Sequence, residues 1–162
     1  MAAIAVFNNA PSPTQLNAST VAEPLSAAMT ATKSYDGTET VGTAMRLVYT
    51  AGSAGGQLPK LKLRFGSTAG SQATGTTSAT VARIWLNNGS ANTTATNNIL
   101  IGEITVAATA MSQTASITQP SDFDFGLLSV PAGWRVYVGL ATAVGGTACA
   151  LIPSMVGGGD YA

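Results

Sequence analysis

Two carboxylates and three cations are the side chains of this sequence whose types and spacing could do chemistry. Asp122 and Asp124 stand two apart in "SDFDFG", which places both on one face of a strand. Such a pair can hold calcium or divide the roles of acid and base. It can equally be the solvated face opposite Phe123 and Phe125. Lys60, Lys62 and Arg64 in "LPKLKLRFG" repeat the spacing with the opposite charge. They suit an acidic partner surface or a phosphate, or they are the lysines with which an edge strand resists unwanted pairing. Three charges without interleaved aromatics make a poor nucleic-acid surface, so no nucleic-acid partner is expected. Trp85 and Trp134 each could offer a flat platform to a sugar, although large aromatics in sheets more often anchor a core or an interface.

Beyond these groups the chain is sparse in reactive side chains. It contains no histidine, which removes the Ser–His–Asp triad, the imidazole base and the imidazole metal ligand. Its one cysteine, Cys149, lies in the apolar run "ACALI" and reads as a small buried hydrophobe. One cysteine is also too few for a structural zinc site of the usual kind. "GSAGGQLPK" has glycines and a lysine, but not at the spacing of a phosphate-binding loop. Glu23, Asp36, Glu39 and Glu103 form no cluster in sequence. The expectation is a protein that is not an enzyme, with no cofactor, no metal ligand and no small-molecule substrate.

The elements that must position these residues are strands. In "TAMRLVYTA", Met45, Leu47 and Tyr49 alternate with Arg46 and Val48; in "LPKLKLRFG", Leu61, Leu63 and Phe65 oppose the three cations. "ATVARIWLN" sets Ala82, Ile84 and Leu86 against Val81, Arg83 and Trp85. "NNILIGEITV" carries Gly102 inside an apolar run, a sign of a bulge or a close backbone approach. "ASITQP" is a short candidate. "FDFGLLSV" places Phe123, Phe125 and Leu127 opposite Asp122, Asp124 and Gly126, and "WRVYVGLAT" sets Trp134, Val136 and Val138 against Arg135, Tyr137 and Gly139. "TACALIPSM" closes the series. Turn signals recur between these runs at Gly-Gly, Asn-Asn-Gly and Pro-Ala-Gly. Seven to eight short strands with sequential turns predict an all-β antiparallel sandwich, or a jelly-roll-like relative of one.

Residues 1–40 read differently. Pro11, Pro13 and Pro24 exclude a helix at those points. The segment is expected to be an extended or irregular arm that packs on a neighbour, followed by a sandwich domain over 41–162. A short strand near 25–33, or a short helix within 21–32, fits the same residues. Its start has no basic region and a short apolar run, unlike a secretory signal, and no run approaches the ~20 apolar residues of a membrane helix. No membrane partner is expected.

Composition fits either a protein that lives in an assembly or a plain soluble domain with a polar Thr/Ser/Asn surface. Only 9% of residues are charged and the formal net charge is zero, against about 25% charged in an average soluble domain. Such a surface has no long-range field for nucleic acid or anionic lipid and favours association. The connections 66–79 and 87–98 contain no charged residue. Uncharged loops of this length suit contact with a neighbouring subunit.

"ATVARIWLNNGSANTTATNNILIGEITVAA" followed by "FGLLSVPAGWRVYVGLATAV" resembles small structural proteins encoded among the virion genes of tailed bacteriophages and prophages. The similarity spans roughly residues 79–145 and is one of strands and turns. It implies a virion component made in the host cytoplasm. By size it implies a capsid decoration or cement protein: a small β-sandwich, often a homotrimer, on the outer shell, whose partner is the major capsid protein. Other virion parts (tail, adaptor or fibre base) share the pattern, and a receptor- or glycan-binding module is the alternative of a different class. Candidate partner contacts are Phe7, Leu16 and Leu25 in the arm, Lys60, Lys62 and Arg64 in the basic stripe, and Tyr161 in the glycine-rich tail.

Overall fold

The computed structural model describes residues 24–68, 72–156 and 159–160. The chain folds as an all-β sandwich of two antiparallel sheets. The strands are β1 (Met45–Thr50), β2 (Gly56–Ser67), β3 (Thr80–Asn87), β4 (Asn98–Val106), β5 (Phe123–Val130), β6 (Arg135–Leu140), β7 (Cys149–Val156) and the two-residue β8 (Gly159–Asp160). One sheet has the order β1-β6-β3-β4; the other has the order β5-β2-β7, with β8 also paired to β2. "ASITQP" forms no strand and belongs to the connection that carries the chain from one sheet to the other. Ile117 is its only large apolar residue, and Pro120 has no N–H to give a ladder.

The core lies between the sheets, and the period-two pattern explains who fills it. Leu61 and Leu63 enter from β2, Ala82, Ile84 and Leu86 from β3, Val136 and Val138 from β6, and Cys149 and Leu151 from β7. Their alternate neighbours point away. Gly102 fulfils both of its expectations: the register of β3 and β4 shifts beside it, and a Cβ there would collide with the Phe123 ring.

Two further register shifts break the alternation. At Val48 the pairing of β1 with β6 shifts, so Met45 and Leu47 join a small outer cluster while Tyr49 joins the main core. Between Leu58 and Lys60 the pairing of β2 with β5 shifts, with Leu58 opposite Leu128 and Lys60 opposite Asp124. The surplus residues of β5 loop out through Gly126 at φ 64° and Leu127 at φ 61°. Leu127 therefore does not share a face with Phe123 and Phe125; it is 59% exposed.

The expectation of an arm that packs on a neighbour fails for residues 24–40, which pack on their own chain. Leu25 exchanges backbone hydrogen bonds with Leu151 at 2.8 Å each way and is fully buried. Met29 donates its N–H to the Leu140 carbonyl at 2.8 Å and seats its sulfur over Gly139. A short 3-10 turn, η1 (Ala31–Lys33), follows. The segment then crosses the outer face of the β1-β6-β3-β4 sheet, where Met29, Ala44, Met45, Trp85 and Tyr137 form a second buried cluster. A strand with Trp85 on its supposedly wet face needs such a cover, because a large indole left in water forfeits about 2–3 kcal/mol of burial.

Candidate interaction face

Among the described residues, no segment covers the outer side of the second sheet. Its outer face is a grid read directly from the register. Lys60 stands between Asp124 on β5 and Val156 on β7. Lys62 faces Ser154, and Arg64 faces Ile152. The basic stripe and the carboxylate pair, which are unrelated in sequence, are thus neighbouring columns of one surface. Arg64 donates to Asp122 Oδ1 at 2.8 Å and to the Leu63 carbonyl at 2.6 Å. Asp124 Oδ1 accepts the Gly126 N–H at 2.8 Å, which ties the aspartate to the bulge. An ion pair this exposed contributes about 0–1 kcal/mol, so the columns set charge pattern more than stability.

β2 lies between β5 and β7, which corrects the reading of its lysines as guards of an edge strand. Their neighbours are charged residues and aliphatics, and together these line an open groove of about 410 Å³ formed by Pro59, Lys60, Lys62, Asp122, Asp124, Leu127 and Val156. Leu127 projects from its bulge at this groove, and Val156 is 42% exposed. An L-residue in the left-handed region costs about 1–2 kcal/mol. A leucine is therefore held in a strained conformation that exposes it, with charges around it. Hydrophobic anchors ringed by polar groups are typical centres of protein interfaces. Asp122 and Asp124 have Arg64 and Lys60 beside them, and among the described residues no group of three or more His, Cys, Asp or Glu could hold a metal ion.

The remaining candidates fall elsewhere. Leu25 is fully buried in the chain's own core, so it cannot serve as a partner contact; the apolar residue that marks an arm in sequence is here the anchor of a cover. Phe7, Leu16 and Tyr161 lie outside the described residues. Trp85 has no exposed surface and cannot stack on a sugar, and Trp134 packs against the main core. Cys149 is buried.

Sequence reasoning missed a polar cluster on the covered side. Arg83 is 6% exposed. Its Nε donates to Glu103 Oε1 at 2.7 Å, its Nη1 donates to Ser34 Oγ, and the Tyr35 ring lies 3.8 Å from its Cζ. Nearby, Glu39 accepts the Thr30 N–H at 2.6 Å and the Thr40 N–H at 3.2 Å, and lies 3.6 Å from Lys33 Nζ. The Thr30 backbone hydrogen bond, with lesser help from Thr40 and Lys33, outweighs burial and holds the Glu39 carboxyl below its ordinary value. The loop 87–98 is tied to its own chain and does not depend on a neighbour for its order, although most of its residues remain exposed. Asn98 Nδ2 donates to the Asp36 carbonyl at 3.0 Å, and Asn92 Nδ2 donates to the Glu39 carbonyl at 2.8 Å. The signal available in sequence was the parity of Arg83 with Trp85, a pairing that calls for a lid.

No known protein family, no curated protein and no solved structure matches this chain.

Proposed function

We propose that this chain is a structural virion protein, a capsid decoration or cement protein that binds the outer shell and reinforces contacts between major capsid subunits. The observation that carries the reading is the β5-β2-β7 face, which no described segment covers and where the strained and exposed Leu127 projects beside columns of opposite charge. The side chain's exposure and its backbone strain both cost free energy within the chain. A partner that buries Leu127 recovers the first, and the charges around it set the orientation of docking. The strand-and-turn resemblance to tailed-phage virion proteins supplies the partner.

In this mechanism the shell is pushed outward by packed DNA, and each bound copy adds buried area across a subunit boundary. Stable interfaces bury on the order of 1,600 Å² over the two partners together. Attachment as a homotrimer adds to what each copy contributes, because linked contacts raise one another's effective concentration. Lys60, Lys62 and Arg64 exceed Asp122 and Asp124 by one positive charge, too small an excess for long-range attraction, so recognition rests on pattern.

The test is fractionation of particles from a lysed culture on a density gradient, with an antibody to this chain and gold labelling by electron microscopy. The reading predicts co-banding with particles and label on the shell. Label confined to tails or fibre bases overturns the capsid assignment, and absence from all particle fractions overturns the virion assignment.

A further inference from the structure

We infer that Asn88–Gly89 is a latent deamidation site held closed by the side chain of Asn87. It is the one Asn–Gly pair in the sequence. Glycine follows asparagine here for a structural reason. Gly89 has φ 88°, and a Cβ on it would lie 2.8 Å from the Gly133 carbonyl oxygen, so no larger residue fits. The turn thus requires the residue that least hinders attack by its own backbone nitrogen.

The chemistry needs no partner beyond water. The Gly89 nitrogen, once its proton passes to solvent base, attacks Asn88 Cγ. The new C–N bond closes a five-membered imide as the Cγ–Nδ2 bond breaks and the side-chain nitrogen departs as ammonia. Water then opens the ring to aspartate or isoaspartate. The net change is exchange of an amide nitrogen for an oxygen, with a gain of one negative charge. Asn88 is exposed to water, so reagent is at hand.

Four hydrogen bonds oppose the reaction. The attacking nitrogen is occupied: Gly89 N–H donates to Asn87 Oδ1 at 2.9 Å. The target amide is held at both ends, with Asn88 Nδ2 donating to Asn97 Oδ1 at 3.2 Å and Asn88 Oδ1 accepting the Ser90 N–H at 3.0 Å. The Asn88 N–H donates to the Asn97 carbonyl at 3.1 Å. Asn87 is itself immobile: it is fully buried, and its Nδ2 donates to Asn98 Oδ1 at 2.8 Å. Asn98 in turn grips the Asp36 and Gly37 carbonyls. The clamp is therefore anchored in the segment that covers the first sheet, and loosening that cover releases it.

The experiment incubates the wild-type chain and Asn87→Ala in mildly alkaline buffer and follows conversion at residue 88 by peptide mass spectrometry, with isoaspartate methylation as a second readout. Far-UV circular dichroism checks that both are folded. Wild-type protein unfolded in urea provides the unprotected rate. Asn87→Ala is expected to convert about fivefold faster than wild type, the factor that one hydrogen bond of about 1 kcal/mol is worth. Folded wild type is expected to lag the unfolded chain by at least that factor. Equal rates in folded wild type and folded Asn87→Ala overturn the inference. So does folded wild type converting as fast as the unfolded chain, a comparison that stands even if the variant does not fold.

Discussion

Lying across the first sheet, residues 24–44 leave Arg83 6% exposed and Trp85 not exposed at all. On the second sheet no described segment lies over the equivalent side, and Leu127 is 59% exposed beside Lys60, Lys62, Asp122 and Asp124. Both sheets are antiparallel, and both alternate apolar and polar residues. The difference, among the described residues, is that one outer face has a cover. Its polar residues are then bound into a cluster with defined partners, while on the other face Arg64 meets Asp122 at the surface at 2.8 Å and Lys60 and Lys62 line the open groove. A β-sandwich can thus keep one sheet for its own stability and offer the other for attachment.

The contrast can be broken most severely by removing the cover. Deletion through residue 40 takes away Leu25 and Met29, buried side chains each worth about 2–5 kcal/mol, and uncovers Trp85. Against a total stability of about 5–15 kcal/mol, the product is expected to be unfolded by circular dichroism and proteolysis. A folded, cooperative product would mean that residues 24–40 are the detachable arm the sequence first suggests. Trp85→Ala isolates the same face at one position and is expected to cost about 3–5 kcal/mol in urea denaturation. Lys62→Ala, on the open face, stays within about 0.5 kcal/mol of wild type. Comparable losses from the two would erase the distinction between the faces.

Leu127→Gly sharpens the comparison in the opposite direction. Glycine adopts the left-handed conformation without strain, so folding stability is expected to hold or to rise by up to about 1 kcal/mol, while sedimentation with particles falls. A variant that is destabilised, or that attaches as well as wild type, would remove Leu127 as an anchor. The smallest effect is that of Glu39→Gln. The Glu39 carboxyl titrates below its ordinary value in the folded chain, so its contribution is complete above the unfolded value of about 4.3. It is lost as pH falls through the lower folded value. Wild type is expected to lose stability across that acid window, and Glu39→Gln to lose less; identical acid profiles would dismiss the Thr30–Glu39 contact as a stabiliser.

The sandwich was legible because each strand carries its own periodicity: Leu61 and Leu63, or Val136 and Val138, need no knowledge of their neighbours to mark an inward face. The bulge beside Gly102 was legible, but those in β1 and β5 were not. Nothing local in "FDFGLLSV" says that β5 has two residues too many for β2, yet that count turns Leu127 from the core to the surface. Candidate residues of the open face were found as separate stripes, because Lys60 and Asp124 meet only through strand pairing across 64 positions of sequence. Leu25 was misplaced for a similar reason. A proline-bearing segment with scattered apolar residues looks alike whether it covers its own sheet or a neighbour's, and only the pairing with Leu151 decides. Arg83 eluded the reading because its partners, Ser34 and Tyr35 in the covering segment and Glu103 on β4, come from two distant stretches of chain.

The chain's three lysines allow a direct measurement of the central claim. Lys60 and Lys62 lie on the open face, and Lys33 lies on the covering segment. Amine acylation of the free and the particle-bound protein, followed by peptide mass spectrometry, compares their accessibilities within one molecule. Strong protection of Lys60 and Lys62 on particles, with Lys33 modified as in the free protein, is the predicted result. Lys60 and Lys62 reacting on particles as fast as they do in solution would contradict attachment through the β5-β2-β7 face.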